Sequence, residues 1–148
     1  MIERHVQTIF CDDIRQEINA KLSYIGVYSG SLYLQSFPST LSKLCVAVKV
    51  VTPADNPLGA LTIRILRDED VLQEITVDEG EINAVSSPPD NVTEEELKSR
   101  VQTAQFMIVF SPIKFDEACV LKVRVQTEKE ELRGMGLRIL QQPPITQN

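Results

Sequence analysis

An all-β fold, a mainly antiparallel β-sandwich of roughly eight strands with one short helix near residues 94-103, is what the 148-residue sequence predicts. Apolar and polar side chains alternate with period two along most of the chain, the signature of half-buried strands. The alternating segments are short, regularly spaced and closed by Pro, Gly or polar clusters. No strand–helix–strand alternation appears, so a doubly wound α/β sheet is not expected, and a sandwich is preferred to a barrel.

Residues 6–10 begin the alternation, residues 22–28 continue it, and residues 31–35 follow the turn pair Ser29-Gly30. Residues 44–51 are almost continuously apolar and rich in Val, which predicts a central strand covered on both faces. Leu61, Ile63 and Ile65 alternate with Thr62 and Arg64, and residues 71–77 answer them across the polar connection Arg67-Asp68-Glu69-Asp70. Phe106, Ile108 and Phe110 form another inward face. Leu121, Val123 and Val125 alternate with Lys122, Arg124 and Gln126, a strand with a basic outer side. Residues 128–131 then turn the chain into a last strand over 135–139.

Residues 80–103 interrupt the pattern. Pro88-Pro89 blocks regular structure. Thr93-Glu94-Glu95-Glu96 reads as a capping box with acids at the positive end of a helix, Lys98 and Arg100 near its other end, and Leu97 and Val101 on one face. One sandwich domain over 1-140 and a flexible C-terminal tail over 141-148, with Pro143-Pro144, complete the expected organisation.

Charge is segregated along the chain. Eleven of its 21 acidic residues lie between Asp68 and Glu96, a stretch without Lys or Arg. The net charge is −6, so the remainder, with 15 bases and 21 − 11 = 10 acids, carries +5. Asp68, Glu69, Asp70, Glu94, Glu95 and Glu96 are therefore candidate partner-binding residues, facing a partner of opposite charge. Hairpin-tip acids and helix N-terminal acids account for the same positions structurally. The acidic balance argues against direct binding of nucleic acid or an anionic membrane. No apolar run reaches the roughly 18–20 residues of a membrane span, and the first residues lack a secretory pattern. A cytoplasmic location is the expectation.

Little here suggests catalysis. His5 is the one histidine and stands in no nucleophile context. Cys11, Cys45 and Cys119 are widely separated and lie in apolar surroundings, as buried free thiols do. Gly134-Met135-Gly136 lacks the third glycine of a dinucleotide loop and precedes a strand, which indicates a bulge or a close-packing position. No cofactor is expected. A loop-end calcium or small-ligand site using Asp12, Asp13 and the 68–70 tip is an alternative. Asp13 with Gln16 equally fits a capped helix start. Tyr24, Tyr28 and Tyr33 gather around Ser29-Gly30. They suit core packing or an aromatic patch at one end of the sandwich, with Tyr28 and Tyr33 as candidate partner contacts.

The opening Phe10-Cys11-Asp12-Asp13-Ile14-Arg15-Gln16-Glu17, followed by Lys21 through Gly26 and Tyr28 and then Phe37-Pro38, resembles a bacterial and prophage family of uncharacterised proteins of about this length. The resemblance implies bacterial or phage origin and a single β-sandwich domain, and it carries no activity. Physically, Asp12 and Asp13 would turn the chain after the first strand, Arg15 or Lys21 would neutralise them, and Gly26 would permit a bulge or close strand approach.

The leading expectation is a non-enzymatic module that binds another protein, with homodimerisation through a strand edge as a further possibility. A phage-encoded acidic inhibitor, its carboxylates standing in for phosphates in the groove of a host nucleic-acid-binding protein, is an alternative.

Overall fold

A computed structural model of the chain describes residues 2–85, 95 and 100–144. Among these residues it contains eleven strands and one short helix. The strands are β1 (His5–Gln16), β2 (Leu22–Val27), β3 (Ser31–Leu34), β4 (Ser39–Leu41), β5 (Leu44–Pro53), β6 (Leu61–Arg67), β7 (Asp70–Val77), β8 (Val101–Phe110), β9 (Ile113–Phe115), β10 (Cys119–Gln126) and β11 (Glu131–Gln141), with helix α1 (Glu79–Val85) between β7 and β8.

One sheet has the order β2-β1-β5-β8, the other β3-β11-β10-β6-β7, and β4 pairs with β9 as a small ribbon. Every pairing is antiparallel except β3 beside β11. The mainly antiparallel sandwich is therefore the fold of this chain.

The core lies between the two sheets. Leu44, Val46, Val48 and Val50 of β5 face Ile63, Ile65, Leu121, Val123 and Leu137 of the second sheet within one buried cluster. Each such side chain contributes about 1.5–3 kcal/mol by leaving water. Residues 44–48 of β5 are all buried, on both faces of the strand, as its unbroken apolar run requires. Its outward Cys45 and Ala47 are covered as fully as its inward side chains.

The helix expected near 94-103 lies largely outside the described residues; Glu95, which is described, is helical, and positions 101–103 belong to strand β8. Helix α1 precedes it in the chain. It carries its own start signal: Asp78 Oδ1 accepts the Glu81 amide at 2.7 Å. Asp with an acid three positions on is the capping-box pattern. Ile82, fully buried, anchors this helix in the core.

The first strand is also longer than its alternation indicates. Asp12 and Asp13 do not turn the chain and Asp13 starts no helix, because residues 11–16 continue β1 by pairing with β2. The turn comes later, where the Glu17 amide bonds the Lys21 carbonyl at 2.7 Å around Asn19 and Ala20, both at positive φ. At the other terminus, Gln141 ends β11, and the Gln142 amide bonds the Leu34 carbonyl at 2.7 Å. Strand β11 thus runs one residue past 140, while 145–148 lie outside the described residues.

Gly134 and Gly136 are close-packing positions. A Cβ on Gly134 would strike the Thr8 side chain from the facing sheet, and one on Gly136 would strike the Leu121 carbonyl oxygen, where the β10–β11 register shifts.

Candidate functional site

Two of the three tyrosines come together. Tyr28 follows β2, and Ser29-Gly30 reverses the chain into β3, the outermost strand of its sheet. Leu32 and Leu34 point into the core, so alternation sends Tyr33 outward, where it is 57% exposed. Past the end of β11, the bond from Gln142 to Leu34 holds Pro143 and Pro144 alongside. The result is an open cleft of about 780 Å³ lined by Tyr28, Ser31, Leu32, Tyr33, Gln142, Pro143 and Pro144. A smaller hollow on the other side of Tyr28 reaches Met135, which is 76% exposed. Tyr24 is not part of this group: its hydroxyl bonds the Gln105 side chain, from β8 of its own sheet.

The Asp12–Gly26 motif forms the back of this region. Gly26, at φ 67°, lies so close beneath Asp12 that a Cβ would collide with the carboxylate. Asp12 in turn accepts the Tyr28 hydroxyl. Burial, then the hydrogen bond to Asp12, push the Tyr28 phenol well above its ordinary pKa. Tyr28 therefore stays neutral and pinned.

The main counter-charge of Asp13 is neither Arg15, which adds a smaller favourable contribution, nor Lys21. Asp13 pairs with Lys43 at 2.6 Å, and that hydrogen bond holds its carboxyl below the ordinary range. Arg15 lies 3.8 Å from Glu17. Lys21 contributes its carbonyl to the turn, with its side chain exposed.

Two acids of the stretch, Glu69 and Glu74, find counter-charges on neighbouring strands. Asp68, at φ 51° in the β6–β7 turn, uses backbone and carboxylate to hold both polar groups of Val120, at 2.9 and 3.0 Å. Glu69 meets Lys122 at 3.1 Å and Glu74 meets Arg64 at 3.2 Å. Asp78 caps α1. Asp70 and Glu95 are exposed, and Glu94 and Glu96 lie outside the described residues. The basic outer side of β10 and the acidic hairpin thus answer each other across the sheet.

Asp12, Asp13 and the 68–70 tip each engage different partners. Among the described residues no three His, Cys, Asp or Glu side chains gather where they could hold a metal ion. Cys11, Cys45 and Cys119 are buried and free. Burial, and then the neighbouring Cys45, push the Cys11 thiol up to about 11, far from the depressed values of reactive thiols.

A feature the alternation could not reveal is Arg4. It is 8% exposed, and its guanidinium bonds Thr52, Glu128 and the carbonyls of Asn56 and Pro57. It clasps the start of the chain to two loops, a structural role.

These elements define a two-sheet β-sandwich with an aromatic and proline-lined cleft at one sheet edge. The chain belongs to a family of unknown function, DUF6941, whose model matches residues 7–140. An uncharacterised family of about this length is what the opening motif implied. No curated protein matches the chain. Among the described residues, no helix is long and apolar enough to cross a membrane.

Proposed function

We propose that this protein is a binding module that takes an extended segment of another protein into the Tyr28–Tyr33 cleft, beside the outer edge of β3. The cleft itself carries the reading. It combines exposed aromatic and proline surface with a sheet edge whose strand, among the described residues, pairs with β11 alone. Strand addition at such an edge supplies backbone hydrogen bonds, and the side-chain pockets beside it supply selectivity. Tyrosine loses little conformational entropy on binding, and methionine adapts its shape, so Tyr33 and Met135 suit a contact surface.

The acidic-inhibitor and calcium readings draw less support, because Asp68, Glu69, Glu74 and Asp78 are already engaged by this chain's own groups.

Selection of a random peptide library on the immobilised protein tests the proposal. Enriched peptides are expected to bind the native chain, to lose about tenfold or more in affinity with Tyr33→Ala, and to be indifferent to Glu69→Gln. No enrichment, or binding that survives Tyr33→Ala, would defeat it.

A further inference from the structure

The outer face of the β2-β1-β5-β8 sheet holds a second, chemically different pocket. Strand register places Gln7, Lys49 and Gln105 in one row across β1, β5 and β8, with Ile9, Ala47 and Met107 in the next row. Tyr24 reaches over from β2. Together Gln7, Thr8, Ile9, Tyr24, Ala47, Lys49 and Gln105 enclose about 370 Å³.

Lys49 is the unusual member. It is half-buried, yet among the described residues its side chain has neither an ion pair nor a hydrogen bond. Lys43, just before β5, by contrast pairs with Asp13 at 2.6 Å. An ammonium drawn partly out of water without a counter-charge is unfavourable, and an anion entering the pocket would relieve it.

A second donor stands beside it. The Tyr24 hydroxyl and the Gln105 carboxamide are hydrogen-bonded to each other. If the amide nitrogen donates, the phenolic proton is left over; if the amide is turned, its N–H groups are left over. Either arrangement keeps at least one donor for a ligand. Gln7 contacts the ring of His5, whose other nitrogen bonds the Glu3 carbonyl. The floor, Ile9 and Ala47, is apolar.

We infer that this pocket binds a small organic carboxylate, its oxygens on Lys49 Nζ and the Tyr24–Gln105 pair and its short apolar body against Ile9 and Ala47. One positive charge with neutral donors matches a carboxylate monoanion. A phosphate dianion calls for more charge, of the kind bidentate arginine supplies. The pocket lies on the opposite sheet from β3, so this inference is independent of the tyrosine cleft.

Sodium butyrate is the probe, with butyramide, inorganic phosphate and sodium chloride as comparisons, followed by NMR of the Gln105 side-chain amide. Saturable shifts with butyrate alone are expected. Lys49→Met, which keeps the stem and removes the charge, is expected to weaken binding about tenfold or more, and Tyr24→Phe by a smaller factor. Both variants are to retain the native amide spectrum. The absence of saturation with butyrate overturns the inference. So does equal binding of butyramide, or binding unchanged in both variants. Preference for phosphate overturns the carboxylate assignment.

Discussion

Arg4 Nη1 lies 2.9 Å from Glu128 Oε1, a contact between residues 124 positions apart that fastens the entry of β1 to the β10–β11 turn. The arginine is buried and the glutamate about one-third exposed. Loss of either partner therefore has unequal consequences. Arg4→Leu removes bonds to Thr52, Glu128 and two carbonyls at once, and is expected to cost about 3 kcal/mol. Glu128→Gln keeps the shape and one hydrogen bond, and water can reach the site, so about 1–2 kcal/mol is expected. Urea unfolding of both variants checks the order. A Gln variant as damaging as the Leu variant would contradict it.

The same pair sets a pH dependence. Burial opposes ionisation of Glu128. Its own backbone amide, Arg4 and the Gly59 amide outweigh that and hold its pKa below the ordinary 4.5. A carboxylate whose folded pKa is depressed stabilises the fold fully above the unfolded value. That contribution disappears as pH falls through the folded value. The gap in melting temperature between the native chain and Glu128→Gln is accordingly expected to be widest near neutrality and to close below about pH 4. A gap that stays constant into acid would rule this coupling out.

Two positive-φ positions predict opposite signs. Ala20 sits at φ 57°, a region that penalises a Cβ, so Ala20→Gly is expected to stabilise by roughly 0.5 kcal/mol. Gly26 sits at φ 67° against Asp12, so Gly26→Ala is expected to destabilise by about 2 kcal/mol or more. Asp12→Ala in the same chain relieves the collision and leaves the backbone penalty, so the double variant is expected to be less unstable than the sum of the singles. Thermal unfolding of the native chain and of the four variants decides it.

What the sequence disclosed follows from how far apart the cooperating residues lie. The apolar run of β5 and the alternation of β6 and β10 are local patterns, and they marked the core strands correctly. Strands β4 and β9 have three residues each, too few for a period to register. The continuation of β1 was hidden because Asp12 and Asp13 look like turn residues. Only Gly26 and Tyr28 across the hairpin, and Lys43 just before β5, explain acids within a strand. Helix α1 is legible in the spacing of Asp78 and Glu81. Of the candidate site, Tyr28 and Tyr33 were visible as neighbours in sequence. Lys49, Tyr24 and Gln105 were not, since Tyr24 and Gln105 are 81 positions apart and are joined only by sheet register.

Glycine replacement in β11 distinguishes two kinds of close packing. The obstacle at Gly136 is the Leu121 carbonyl oxygen, part of a backbone held in the sheet, whereas the obstacle at Gly134 is the methyl of Thr8, the far end of a side chain. A side chain can yield where a sheet backbone cannot. Gly136→Ala is therefore expected to cost about 2–3 kcal/mol with little scope for rescue.

The thiols give a further chemical test of the same packing. Cys11 and Cys45 are opposite one another in the β1–β5 register and wholly buried, and Cys119 is buried in the second sheet. Burial raises the pKa of all three. The reactive species is the thiolate, so low accessibility and a raised pKa act in the same direction. Native protein is expected to resist iodoacetamide at neutral pH, and all three cysteines are expected to alkylate together once urea unfolds the chain. Intact-mass spectrometry across a urea series measures this directly. Modification of Cys11 or Cys45 well before the unfolding midpoint would show that the first sheet opens locally, and would contradict the close cover the structure gives that face.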